Sequence, residues 1–159
     1  MKIFKNKKNL LKWGLVIIFI IAFVFLFRGK QDHASNLEVN NIKYVKIAGQ
    51  VLKVDLALTP ETQSLGLSGR NILKEDEGML FIFEKSALYY FWMKDMNFPI
   101  DMIWIDENLQ VIYVKKNAQP ESFPETFGST KKSRYVLEVV AGFSEKNNLK
   151  ERDRIEFLP

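Results

Sequence analysis

Six residues in this chain carry the side chains most capable of chemistry, and all lie in or beside apolar and aromatic stretches: Arg70, Trp92, Lys94, Asp95, Asp101 and Glu138. An ionised group in such company must be paired, hydrated at an edge, or functional. The carboxyls of Asp95, Asp101 and Glu138 could act as general acid and base. The pair Asp101 and Glu138, with Arg70 or Lys94 stabilising developing negative charge, would suit a glycan hydrolase or lyase. Read as a binding set, the Trp92 indole offers a flat face for a sugar or an aromatic surface while the charges fix orientation. Read as architecture, Arg70, Lys94, Asp101 and Glu138 neutralise one another or cap loop amides. Binding is the expectation taken over catalysis, because carboxylates are common and none here has a diagnostic spacing.

Several chemistries are excluded by composition. The only histidine is His33, and Ser68 in Gly66-Leu67-Ser68-Gly69 is not in a G-x-S-x-G elbow, so serine hydrolysis lacks its base. With no cysteine there is no disulfide, thiolate nucleophile or zinc-thiolate site. Met79, Met93, Met96 and Met102 cluster in sequence, but without histidine or cysteine they read as core filler rather than a copper site. Asp106-Glu107-Asn108 lacks the EF-hand pattern and reads as a turn. No metal and no cofactor is expected.

The elements that must position these residues begin with a membrane signal. Trp13–Phe27 is an unbroken apolar run plus Gly14, extended by Leu10 and Leu11 past Lys12. Together they reach the length a helix needs to cross the hydrocarbon core, with Lys12 snorkelling. Lys2, Lys5, Lys7, Lys8 and Lys12 precede the run, and only Arg28 and Lys30 follow closely, so positive-inside bias puts the N-terminus in the cytoplasm. A cleaved signal peptide is the alternative, but Arg28-Gly29-Lys30-Gln31-Asp32 offers no small-x-small site. The expected plan is a cytoplasmic basic tail over 1–9, a transmembrane anchor over 10–27, a tether over 28–41 and an extracytoplasmic domain over 42–159. Residues 33–159 hold 16 Lys+Arg against 18 Asp+Glu, so the high overall pI reflects the N-terminal segment and nucleic acid is not an expected partner. The expected partners are the membrane and an envelope glycan or envelope protein. The loop at 117–132, which carries Phe123 and Phe127, is a candidate surface for a protein contact.

Within the domain, hydrophobic alternation predicts a hairpin of 44–48 with 51–58 around Gly49-Gln50. Thr59-Pro60-Glu61 then supplies an N-cap, a first-turn proline and a first-turn acid for a helix ending near Gly66. Buried strands follow at 78–83 and 89–93, a second hairpin at 100–106 and 110–115, a long loop at 117–132, a strand at 135–140, a short helix at 143–148 and a closing strand at 154–158. About seven short strands and two small helices give a mainly β, mostly antiparallel sandwich or barrel.

Five ordered blocks carry a resemblance. Gly66-Leu67-Ser68-Gly69-Arg70, Glu77-Gly78-Met79-Leu80-Phe81-Ile82-Phe83, Phe91-Trp92-Met93-Lys94-Asp95, Pro99-Ile100-Asp101, and Tyr135-Val136-Leu137-Glu138 with Ala141-Gly142 resemble the uncharacterised prokaryotic family called domain of unknown function 192. The resemblance spans roughly residues 42–157. It implies a compact, jelly-roll-like β domain, often exported or membrane-anchored, with no established activity. The chain departs from the family pattern at Ser68 (commonly methionine), Asp95 (usually asparagine), Leu109 (frequently glycine) and Arg152 (usually glycine). At Asp95 a carboxylate in place of an amide would exchange donor for acceptor and alter the ligand or the partner.

Overall fold

The computed structural model describes residues 39–159. The expected basic tail, anchor and most of the tether fall on 1–38, outside the described residues. No helix among the described residues is long and apolar enough to cross a membrane.

The first hairpin forms as its sequence requires. β1 (Tyr44–Ile47) pairs antiparallel with β2 (Gln50–Ala57), and Ala48 and Gly49 between them both take positive φ, 48° and 77°. Such a two-residue turn matches the right-handed twist of the strands it joins. Helix α1 (Pro60–Leu65) starts at Thr59, whose Oγ1 accepts the Thr62 N–H while the Thr62 side chain closes back on the Thr59 N–H. Gly66 then ends it at φ 52°.

β3 (Glu77–Ala87) is longer than hydrophobicity alone predicts, because beyond its apolar half the polar end, Glu84 to Ser86, continues through a register shift to Ala87, which pairs with Ser133. β4 (Tyr90–Trp92), β5 (Ile100–Ile105), β6 (Val111–Ala118), β7 (Thr126–Gly128) and β8 (Ser133–Val140) follow, then helix α2 (Phe143–Lys146) and β9 (Glu156–Leu158). Between β5 and β6, Asp106 Oδ1 accepts the N–H groups of Asn108 and Gln110, which closes the second expected hairpin.

Seven strands form one sheet in the order β6-β5-β8-β3-β2-β1-β9, and β4 with β7 makes a separate two-stranded ribbon. The sheet is antiparallel except between β2 and β3, where α1 and the loop after it form the crossover that a parallel pair requires. It curls into a half-barrel, so that the two ends of the strand order meet. Ile155 N–H donates to the Leu109 carbonyl and Val111 N–H to the Asp153 carbonyl, joining the start of β6 to the chain entering β9. The mainly β expectation holds, as a single curled sheet rather than two stacked ones.

Each face of the sheet carries its own core. One packs Val45, Leu52, Leu80, Ile103 and Leu137 against Phe143 of α2. The other packs Phe81, Met102, Trp104 and Val136 under Leu67 and Met93 from the covering loops and Phe127 of β7. Gly78 lets β3 and β8 approach closely, since a Cβ there would lie 2.9 Å from the Glu138 carbonyl oxygen.

Two sequence expectations are corrected. The segment 89–93 is not a buried strand: Phe91 and Met93 turn inward, while Tyr90 and Trp92 face solvent at 63% and 48% exposure. The stretch 117–132 is not all loop, because Phe127 inserts into the second core and brings β7 against β4.

Candidate functional site

Strand register decides which of the six candidates meet. Asp55, Met79, Glu138, Met102 and Lys115 are successive partners across β2, β3, β8, β5 and β6, so they share one face of the sheet. Asp101 precedes Met102 and pairs with Val139, which puts it on the opposite face. Asp101 and Glu138 therefore open onto different cores. The two carboxyls of the alternative, catalytic reading are not brought together, because neighbouring residues along a strand point to opposite sides.

Asp101 is fully buried and its acceptors are taken by main chain. Oδ1 accepts the N–H of Asn117 at 2.8 Å and of Gly142 at 3.2 Å, and Oδ2 accepts Ser144 N–H at 2.8 Å. It ties β5 to the end of β6 and to the first turn of α2. Arg70 is half-exposed and reaches Asp55 Oδ2 at 2.8 Å, while its carbonyl accepts from the Asn97 side chain. Lys94 and Asp95 form the exposed turn after the ribbon. Their carbonyls accept from Ser68 Oγ at 2.9 Å and Gly69 N–H at 2.8 Å, which fixes the Gly66–Arg70 loop.

Asp95 has φ 55°, and Leu109 and Arg152 have φ 61° and 75°. Three of the four departures from the family pattern thus stand where the backbone is left-handed, a conformation that asparagine and glycine adopt readily. At Asp95 the requirement is conformational, and aspartate also meets it.

Glu138 is the unusual member. It is 4% exposed, and among the described residues it forms no ion pair and its enclosed Oε2 has no hydrogen-bond partner. Burial pushes its carboxyl up to about 8, against the opposing pull of the Arg70 charge. A buried polar group left without a partner is costly, and perturbed carboxyls gather at functional sites.

The side chain contributes to a cleft of about 130 Å³ between α1, the Gly66–Arg70 loop and the ribbon. Glycine at position 66 keeps the cleft open, because a Cβ there would come within 3.3 Å of the Phe81 ring and 3.9 Å of Glu138 Oε2. The walls are aromatic. Phe83 stacks on Tyr89 with centroids 3.5 Å apart, and Phe81 meets Phe91 edge-on at 4.8 Å. Trp104 Nε1 donates to the Tyr89 carbonyl at 3.0 Å and anchors the turn that carries these rings. Leu65, Tyr90 and Trp92 are exposed lining residues of the same cleft, and Trp92 also contacts the exposed Phe123 ring edge-on at 6.0 Å.

The structure thus gathers Glu138 and Trp92 in one cleft, leaves Arg70 outside its lining, has Lys94 and Asp95 support the adjoining loop, and places Asp101 on the opposite face of the sheet. Sequence reading missed Leu65, Phe81, Phe83 and Tyr89 as lining residues; the aromatic density from 81 to 92 was the available signal. A larger hollow of about 360 Å³ lies between β2 and α2; of its charged lining residues Glu75, Asp76 and Lys146, Glu75 and Lys146 pair with each other at 2.7 Å. No group of metal-ligating side chains occurs among the described residues.

A family model, DUF192, described as Uncharacterized ACR, matches residues 43–157. Among solved structures, a protein from Sinorhizobium meliloti described as a candidate transcription regulator is 31% identical, with a TM-score of 0.68 over 72% of this chain and 92% of that one. A protein of unknown function from Novosphingobium aromaticivorans is 27% identical, with a TM-score of 0.69 over 75% and 89%. No curated protein matches the chain.

Proposed function

The chain belongs to the DUF192 family, and we propose that its β domain is a small-molecule binding module whose site is the aromatic cleft, with Glu138 as the polar anchor. The observation that carries this reading is the unpartnered, enclosed Oε2 of Glu138 in a cleft walled by rings. Apolar walls with a few placed polar groups are the usual composition of such sites. The volume suits one ring-sized group, since a cavity of about 150 Å³ holds a benzene. The exposed faces of Tyr90 and Trp92 would receive whatever extends beyond it. An envelope glycan fits this description, as does an aromatic side chain of a partner protein.

A second reading, catalysis, is favoured by the same carboxyl. A Glu138 that keeps its proton near neutral pH is suited to general-acid work. It would act with one carboxyl, because Asp101 lies on the other face, so elimination or isomerisation suits the cleft better than paired-carboxylate hydrolysis.

Thermal melting of the full chain against sugars, cell-wall fragments, amines and organic acids tests the binding reading. A ligand at one hundred times its dissociation constant adds about 2.7 kcal/mol, a shift of several degrees for a domain of this size. The expected result is a shift that Trp92→Ala and Glu138→Gln each reduce. A flat panel overturns the reading.

We also propose that the domain is held outside the cytoplasmic membrane by the apolar run at 10–27, which the lysine asymmetry supports. The acidic balance of residues 33–159 speaks against carrying the regulator description of the Sinorhizobium protein over to nucleic-acid binding here. A C-terminally tagged chain is expected in the membrane fraction at full length and digested by protease added to spheroplasts. A shortened, soluble product would overturn the anchor.

A further inference from the structure

Resting on the binding reading, we propose that the cleft selects a cationic ligand, an amine or ammonium group carried on a ring or short apolar stem, with the positive charge seated against Glu138. Glu138 is the only charged residue among those lining the cleft. The donors beside it are already spent. Gln63 Nε2 donates to the Ala57 and Ile82 carbonyls at 3.3 and 3.0 Å, Ser68 Oγ to the Lys94 carbonyl, and Tyr89 Oη to the Lys85 carbonyl at 2.7 Å.

What remains at the inner end is the Glu138 carboxyl, its enclosed Oε2 without a hydrogen-bond partner among the described residues, in a cleft lined by aromatic rings; once an arriving cation displaces its proton, carboxylate and rings both attract positive charge. An anion would meet the carboxyl and find no cation among the lining residues. A neutral sugar would find few donors at the inner end, and those at the mouth, Ser64, Tyr90 and Trp92, fit the outer part of a ligand.

The nearby cations do not compete for the seat. Arg70 is engaged by Asp55 at 2.8 Å, and Lys115, on the same sheet face as Glu138, lies 4.2 Å from the centroid of the Phe127 ring. A free carboxyl with no internal cation is what a site must keep if the cation is to arrive with the ligand. Its cost to the fold in the empty state is the reason that a purely structural residue at this position would be apolar.

The test uses benzylammonium and its neutral isostere benzyl alcohol, titrated calorimetrically near pH 8, where the carboxyl can release its proton, into the full chain and into Glu138→Gln. Benzylammonium is expected to bind the wild type at least ~10-fold more tightly than the alcohol, the size of a desolvated charge-assisted contact. Glu138→Gln is expected to erase that preference while still binding the alcohol. Equal binding of both compounds by the wild type, or a preference that survives in Glu138→Gln, overturns the cation assignment and leaves the cleft as a binding site. Failure of both compounds, together with a flat melting panel, overturns both. Phe83→Leu, which thins the aromatic wall without touching the carboxyl, is expected to weaken benzylammonium several-fold more than benzyl alcohol; an equal loss for the two counts against the assignment.

Discussion

Asp101→Ala lowers the melting temperature of the domain by roughly 10–20 °C, the largest loss expected from any single candidate residue. The carboxylate accepts from the main-chain N–H groups of Asn117, Gly142 and Ser144, in a site with no solvent access. Alanine leaves all three donors without a partner, and each buried donor so orphaned costs about 1–3 kcal/mol, so a total of about 3–5 kcal/mol is a conservative sum. Asp101→Asn keeps one acceptor oxygen and turns an amide toward the remaining donors, so it recovers part of the loss. The specific feature of this prediction is what does not change. Any Asp101 variant that remains folded at the assay temperature retains ligand binding in the cleft, because the two carboxyls lie on opposite faces of the sheet. A variant that melts like the wild type yet loses binding would return Asp101 to the site.

Glu138→Gln moves stability in the other direction at neutral and alkaline pH. The carboxyl is raised from 4.5 to about 8 in the folded chain by burial. Between those values the folded protein keeps a proton that the unfolded chain releases, so stability is full below about pH 4.5 and declines as pH rises toward 8. Over that interval the loss is on the order of 4–5 kcal/mol, at 1.36 kcal/mol for each unit. Glutamine has nothing to titrate and removes this slope. Near pH 8 the variant is therefore expected to be more stable than the wild type by about 2–4 kcal/mol, the difference being what the buried amide itself costs.

Urea titrations of both proteins at pH 5 and pH 8 read the effect directly. Glu61, Glu75 and Glu77, which neighbouring hydrogen bonds hold below their ordinary range, act at lower pH and are common to both proteins, so they cancel in the comparison. Parallel pH profiles would show that Glu138 is not the group responsible. A gain in stability bought with a loss of ligand binding is the signature of a residue kept for function rather than for the fold.

The order and type of the elements were largely legible because their causes are local. Alternation in 50–57, the Thr59-Pro60 helix start and the turn at Asp106 each rest on contacts within a few residues, and the structure has all three. The five family blocks were legible for the same reason, as ordered strings of residue types. Extent was less legible. The polar end of β3 and the short β7 take their strand geometry from partners well separated in sequence, such as Ser133 for Ala87 and Trp92 for Thr126.

The candidate site was only half legible. Trp92 and Glu138 stood among the candidates by residue type, although 89–93, with Trp92 in it, reads as a buried strand. That Trp92 stands at a cleft mouth follows from β4 leaving the main sheet to pair with β7, and nothing within 89–93 encodes that partner.

By itself, then, the sequence determined a mainly β domain, the positions of its turns and caps, its family, and a short list of charged and aromatic candidates. Tertiary structure alone decided which of them meet. In a strand, one residue of register exchanges the two faces, and the register of β5 on β8 is set by pairing residues thirty or more positions apart. That pairing sends Asp101 to three main-chain amides and leaves Met102 beside Glu138, so one carboxyl became part of the frame and the other was left unpartnered in the cleft.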